Sequence, residues 1–170
     1  MSTAGNTSNT GTASNTEAST VSNTVGNTLG VTLEQARAIV AGARAASAQR
    51  GFKPLTVVVL DAGGHVTAVE REDGSSNGRF AIAKGKADGA LALGMGSRSI
   101  MSRAEQQAYF VLAAGAATGG SLVPVPGGVL VRDDSGSLLG AVGVSGDTSD
   151  NDEAAAVAGI EAAGLVAQPE

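Results

Sequence analysis

The apolar positions along the chain change their spacing several times, and each spacing predicts an element. Leu33, Ala36, Ile39, Val40 and Ala43 recur at helical intervals. Thr32 and Gln35 stand at capping-box spacing before them, while Gly51 and Pro54 close the run, so a helix is predicted from Thr32 to Gly51. LTVVVL follows as a nearly unbroken apolar run, the pattern of a strand covered on both faces. Asp61-Ala62-Gly63-Gly64 has turn chemistry, and residues His65 to Glu70 read as the strand returning from a hairpin. Arg79 to Leu93 reads as a helix rich in Ala and Gly, with Gly85 and Gly89 four apart as a shallow ridge for a close backbone approach. Ser102 and Glu105 predict a second capping box, opening a helix through Ala114. Three strand-like runs follow, LVPV, GVLVR and SLLGAVGVS, separated by Pro126-Gly127-Gly128 and by Asp133-Asp134-Ser135-Gly136. A last helix is predicted from about Asn151 to Ala163, with acids at its start where the helix dipole favours them. Two strands and then three, joined by short links, predict a five-stranded antiparallel sheet with flanking helices, an α+β layered domain.

Residues 1–30 break this patterning. They are almost free of apolar side chains, repeat Asn-Thr at 6, 9, 15, 23 and 27, and carry a single charge, Glu17. Such a stretch buries too little surface to offset the entropy of ordering it, so it is expected to be a disordered polar tail. Residues 31–166 are expected to form the domain and 167–170 a short C-terminal tail. No apolar run reaches the roughly 18 residues that span a bilayer. The start lacks a basic segment followed by an apolar one, so the chain reads as cytoplasmic.

Composition then removes whole classes of function. Cysteine and tryptophan are absent from the 170 residues, and the net charge is −5. Without cysteine there is no thiol nucleophile, iron–sulfur cluster or thiolate zinc site. A net negative chain repels phosphate backbones and anionic lipid, so neither nucleic acid nor a membrane is an expected partner. No P-loop, dinucleotide fingerprint, H-E-x-x-H or G-x-S-x-G motif is present.

DAGGHVTAVEREDG, a Lys-bearing Ala-rich helix, LVPVPGGV and LLGAVGVSGDTSDNDE, in that order, resemble the GlcG/HbpS family of haem-degrading or haem-binding domains. They also resemble the C-terminal domain of some cobalamin adenosyltransferases. The resemblance spans residues 31 to 166. It departs from the family pattern at Gly89, where threonine is usual, and at Leu130, where many members have a second proline. It implies a profilin-like α/β/α sandwich, assembly into homo-oligomers, and haem or another tetrapyrrole as ligand. On that implication the binding region is Asp61, His65, Lys86 and the turn Pro126-Gly127-Gly128.

The residues themselves admit more than one reading. His65, the only histidine, reads as a polar turn residue or as an axial ligand or base. Glu70 and Asp73 have the E-x-x-D spacing of some iron-binding surfaces, which a solvated strand end also explains. Lys86 needs an anion if it faces the interior, either a protein carboxylate or an acidic ligand. The functional expectation is therefore a tetrapyrrole-binding oligomeric module. The alternatives are an organic-acid enzyme or binder with Lys86 holding the acid, and a structural subunit without ligand. Whether any reaction is catalysed is left open. The binding expectation assumes that the glycine-bearing turns gather at one rim of the sandwich.

Overall fold

The structure, a computed structural model, describes Met1 and residues 30–170. The expected tail otherwise lies outside the described residues. Ten elements follow in the order α1 (Leu33–Arg50), β1 (Thr56–Asp61), β2 (Val66–Arg71), α2 (Arg79–Leu93), α3 (Ser97–Gln106), α4 (Ala108–Ala117), β3 (Gly128–Arg132), β4 (Leu138–Ser145), α5 (Ser149–Ala162) and β5 (Val166–Gln168). The strands form one antiparallel sheet in the order β2-β1-β4-β3-β5. The α+β sandwich class expected from the pattern is what forms.

The central strands β1, β3 and β4 are buried on both faces, which is why they lack apolar–polar alternation. Val57 and Val59 of β1, Val129 and Val131 of β3, and Val142 and Val144 of β4 point to one side. There they pack with α1 and α5 residues such as Ile39, Ala43 and Ile160. Val58, Leu60, Leu130 and Ala141 point to the other side and meet Ala83, Ala87 and Ala90 of α2. The capping box at Thr32 is present, and Gly51 ends α1 at φ 67°. α5 begins with Thr148 as its N-cap, whose side chain accepts the Asn151 N–H.

α2 lies unusually close to the sheet. Gly128 and Gly143 are directly opposed across β3 and β4. A Cβ on Gly143 would collide with the Ala83 carbonyl, and one on Gly128 with the Lys86 carbonyl. Two facing residues without side chains thus let helix backbone rest on strand backbone. The footprint of α2 covers β1, β3 and β4. β2 lies beyond it, and its Val66 and Val69, on the same face as Leu60 and Val58, remain partly exposed.

Three expectations are corrected. LVPV is not a strand. Pro124 and Pro126 have no N–H for a ladder, and the Val123 N–H instead donates to the Gly85 carbonyl (3.1 Å), laying the segment on the glycine ridge of α2. The fifth strand is Val166–Gln168, within and beside the stretch read as a C-terminal tail; it pairs with β3, and Arg132 Nε donates to Gln168 Oε1 (2.6 Å). The Ser102–Glu105 capping box does not form, because Ser102 sits inside α3 and donates to the Arg98 carbonyl. That helix starts at Ser97, whose hydroxyl accepts the Gly128 N–H (2.7 Å), and it breaks at Gln107 (φ −139°, ψ 59°) before α4.

Gly143→Ala is expected to force α2 away from β4 and to cost about 3 kcal/mol. Exposed Gly78, with open space at its Cβ position, supplies the control: Gly78→Ala should change stability by less than about 1 kcal/mol. Urea denaturation followed by circular dichroism checks both.

Candidate functional site

The hairpin after β1 is organised by Asp61. Its Oδ1 accepts the N–H groups of Gly63 (2.8 Å) and His65 (2.9 Å), an Asx-type turn within the hairpin. Partial burial pushes the Asp61 carboxyl up, but the two backbone N–H groups and the nearby imidazole outweigh it and hold the carboxyl below its ordinary value. Gly64 takes φ 81°. The His65 ring is folded back over Gly63, with Nδ1 3.4 Å from Asp61 Oδ1. Its side chain is 82% exposed, so Nε2 is open to solvent. His65 is thus a turn residue by position, with a ring that remains available to a ligand.

Lys86 has a different environment. Its side chain is 2% exposed, and its Nζ donates to Asp152 Oδ2 (2.7 Å) and to the Val144 carbonyl (2.9 Å). Burial pushes the ammonium below the ordinary lysine value, and nearby Arg79 acts in the same direction. The hydrogen bond and charge of Asp152 oppose that shift. Asp152 also accepts the Asp147 N–H through Oδ1 (3.0 Å). The partner that Lys86 requires is therefore a protein carboxylate. Pro126, Gly127 and Gly128 wrap this pair: a Cβ on Gly127 would lie 2.8 Å from Lys86 Nζ and 3.0 Å from Asp152 Cβ.

The two halves of the expected binding region do not meet. Asp61 pairs with Gly140 near the start of β4, and Gly128 pairs with Gly143 toward its end. Three residues of strand, about 10 Å, separate these levels. The hairpin turn and the Pro-Gly-Gly turn leave from opposite ends of the sheet, because β1 and β3 both run antiparallel to β4. The single-rim expectation is thereby overturned. Glu70 and Asp73 lie at the far end of β2. Glu70 is paired with Arg44 (2.7 Å), which also holds Glu72 (3.2 Å). Among the described residues, no three His, Asp or Glu side chains gather as a metal site.

A different set of residues gathers at the hairpin end. Two open hollows of about 400 and 420 Å³ adjoin there and share Lys84, Asp88 and Ser121. Together they form a trough across the outer face of α2. Ala62, Gly63 and Gly64 make one end, while Phe80, Ile82 and Val123 make an apolar flank at the other. Segment 121–123 forms the far wall. It can approach because a Cβ on Gly85 would lie 2.7 Å from Val123 Cγ2, space that only glycine leaves free. Lys84 Nζ donates to both oxygens of Asp88 (2.8 and 2.7 Å). That pair is one-third and one-sixth exposed respectively, facing the trough with one ammonium proton still uncommitted.

The i,i+4 spacing of Lys84 and Asp88 was readable in the sequence. Their convergence with Gly63-Gly64 and Ser121 depends on where the 118–123 segment runs, which no local signal carries. The acids after Gly146 likewise find partners: Asp150 and Glu153 hold Arg98, and Asp147 accepts the Lys53 N–H. Among the described residues, no helix is long and apolar enough to cross a membrane.

Known proteins share this architecture. Residues 31–161 match the model of a family described as haem degrading protein HbpS-like. A crystal structure of a PduOC:heme complex superposes with TM-score 0.71 at 22% identity, over 80% of this chain and 96% of that one. Klebsiella pneumoniae protein ORFY gives 0.71 at 25% identity, over 79% and 90%. A double mutant of Streptomyces reticuli HbpS gives 0.67 at 22% identity, over 94% and 97%. No curated protein matches the chain in sequence.

Two outcomes follow from the charges just described. Lys86→Met should cost about 3–5 kcal/mol by leaving Asp152 buried without its partner, and Lys86→Met with Asp152→Leu should recover much of that loss; urea midpoints of the single and double variants measure both. Asp61, with its carboxyl lowered in the folded state, contributes stability above the ordinary carboxylate value. That contribution is lost as pH falls through the lowered value, so Asp61→Asn should flatten the acid limb of stability between about pH 5 and pH 2.

Proposed function

The chain belongs to the HbpS-like haem-degrading protein family, and from that premise we propose that it is a haem- or related tetrapyrrole-binding module whose ligand lies in the trough beside His65. The observation that carries this reading is that the hairpin bearing the only histidine closes one end of the trough through Ala62, Gly63 and Gly64, with a lysine in the wall and an apolar flank beyond. The donor set fits the group. His65 would hold the iron through an outward Nε2, and its Nδ1 faces a carboxylate, the partner that metal-bound histidines commonly have. Phe80, Ile82 and Val123 offer apolar contact to a macrocycle, and the Lys84 ammonium offers a counter-charge to a carboxylate substituent. Bound haem would supply an iron centre open to a further ligand.

What this chain contributes is a seat. His65 would bind the group through Nε2, Lys84 would orient its acidic edge, and the 121–123 wall would restrict water on the apolar side. Lys86 has no place in this seat, since it is buried against Asp152 at the other end of the sheet, whereas Lys84 lines the trough and keeps one proton free of Asp88. The organic-acid alternative accordingly moves from Lys86 to Lys84.

The same reading includes a second copy of the chain. α4 is apolar on all sides (AYFVLAAGAA), yet only Val111 in it is buried. Tyr109 and Leu112 are about three-quarters exposed, and Leu112 borders a hollow with Leu122 and Pro124. A surface of this kind on one helix is suited to burial between copies.

Ferric haem titrated into the purified protein should give a Soret band shifted from free haem, with saturation at micromolar concentration. His65→Ala should remove the shift, and Lys84→Met should weaken binding by about 10-fold, the loss of one charge-assisted contact. An unshifted band in the wild type overturns the reading; thermal-shift screening against hydroxy acids then tests the Lys84 alternative. Native mass recorded with and without haem reads the assembly in the same samples.

A further inference from the structure

We infer that Asp61 is a positioning residue that selects the Nδ1–H tautomer of His65 and thereby turns an unprotonated Nε2 outward as the metal-facing donor. This rests on the haem reading for its purpose, but the device itself belongs to the chain without ligand.

Three observations carry it. Asp61 Oδ1 is fixed in place by the N–H groups of Gly63 and His65, at 2.8 and 2.9 Å, so the carboxylate cannot swing away from the turn. His65 Nδ1 stands 3.4 Å from that same oxygen, within reach of a hydrogen bond after a small ring adjustment. A carboxylate oxygen accepts and does not donate, so the ring satisfies it only with a proton on Nδ1. The remaining lone pair is then on Nε2, across the ring from Nδ1 on a side chain that is 82% exposed. Gly63 completes the device, because a Cβ there would lie 2.9 Å from Nδ1 and 3.1 Å from Cε1. The ring occupies the volume a side chain would fill.

Each part of Asp61-Ala62-Gly63-Gly64-His65 except Ala62 thus has one job in aiming a single imidazole. Asp61 holds the turn and accepts the Nδ1–H, Gly63 leaves room for the ring, and Gly64 supplies the left-handed backbone at φ 81°. A turn built only to reverse the chain needs Asp61 and Gly64, but it needs neither the folded-back ring nor the empty Gly63 position.

His65 is the only histidine, so its side-chain nitrogen signals can be read without assignment ambiguity. The experiment is long-range ¹H–¹⁵N NMR on the ligand-free full chain at about pH 8, above the range in which an ordinary imidazole titrates. The wild type is expected to show a protonated Nδ1 and a bare Nε2. Asp61→Asn retains an oxygen for the two backbone N–H groups but removes the charge; it should shift the tautomer ratio several-fold toward Nε2–H. Gly63→Ala should displace the ring and shift it in the same direction, with the far-UV spectrum unchanged. In the haem titration, Asp61→Asn should weaken binding by about 10-fold, the low end for loss of a ligand's outer partner. A wild type dominated by Nε2–H, or a tautomer ratio unmoved in Asp61→Asn, overturns the inference while leaving haem binding standing. A wild type that shows Nδ1–H and loses it in Asp61→Asn, yet binds no haem, upholds the positioning role and removes the haem reading alone.

Discussion

The buried Lys86–Asp152 pair is the interaction on which the arrangement of layers depends. Lys86 starts on α2, on one face of the sheet, and Asp152 starts on α5, which packs on the other. Their contact passes the end of the sheet beside Gly127, where any side chain would obstruct it. A buried ion pair is a weak source of net stability, because desolvation consumes most of the attraction. It is nevertheless strongly directional. Lys86 cannot move far along α2's axis without losing both Asp152 and the Val144 carbonyl, so the pair sets the register of the helix against β3 and β4.

With the register of α2 set, its two other faces acquire definite roles. The alanine face meets Ala141 and the bare backbone at Gly128 and Gly143, which brings the helix close and explains why so few large residues suffice for the core. The outer face carries Lys84 and Asp88 and, through Gly85, accepts the 121–123 segment. The trough is therefore a consequence of close packing below and above one helix. A larger residue at Gly143 or at Gly85 would alter it from opposite sides.

Much of this was legible in the sequence, for reasons that can be assigned residue by residue. Thr32, Gln35 and Gly51 bound α1 because caps are local chemistry, and the valine run of β1 declares burial on both faces. The Asp61–Gly64 turn was equally plain. LVPV misled because apolar, β-branched content resembles a strand until the missing proline N–H groups are counted against the neighbours they would need. Val166–Gln168 was missed because three residues carry no period, and only Arg132 and the open edge of β3 make them a strand. The candidate site was partly legible: the hairpin with His65 stood out, while Lys86 and the Pro-Gly-Gly turn were grouped with it although strand direction sends them to the other end. Lys84, Asp88 and Ser121 required the fold, since nothing local says that a loop 33 residues after Asp88 returns to lie on it.

Gly119 and Gly120, just before the trough's far wall, both adopt left-handed backbone (φ 88° and 81°), and a Cβ at either would meet open space. Neither takes part in the alanine-lined interior or in the Lys86 contact. A side chain at either position would strain that left-handed backbone although space is open to it, so a change in the course of the 121–123 wall made there also draws on the stability of the fold.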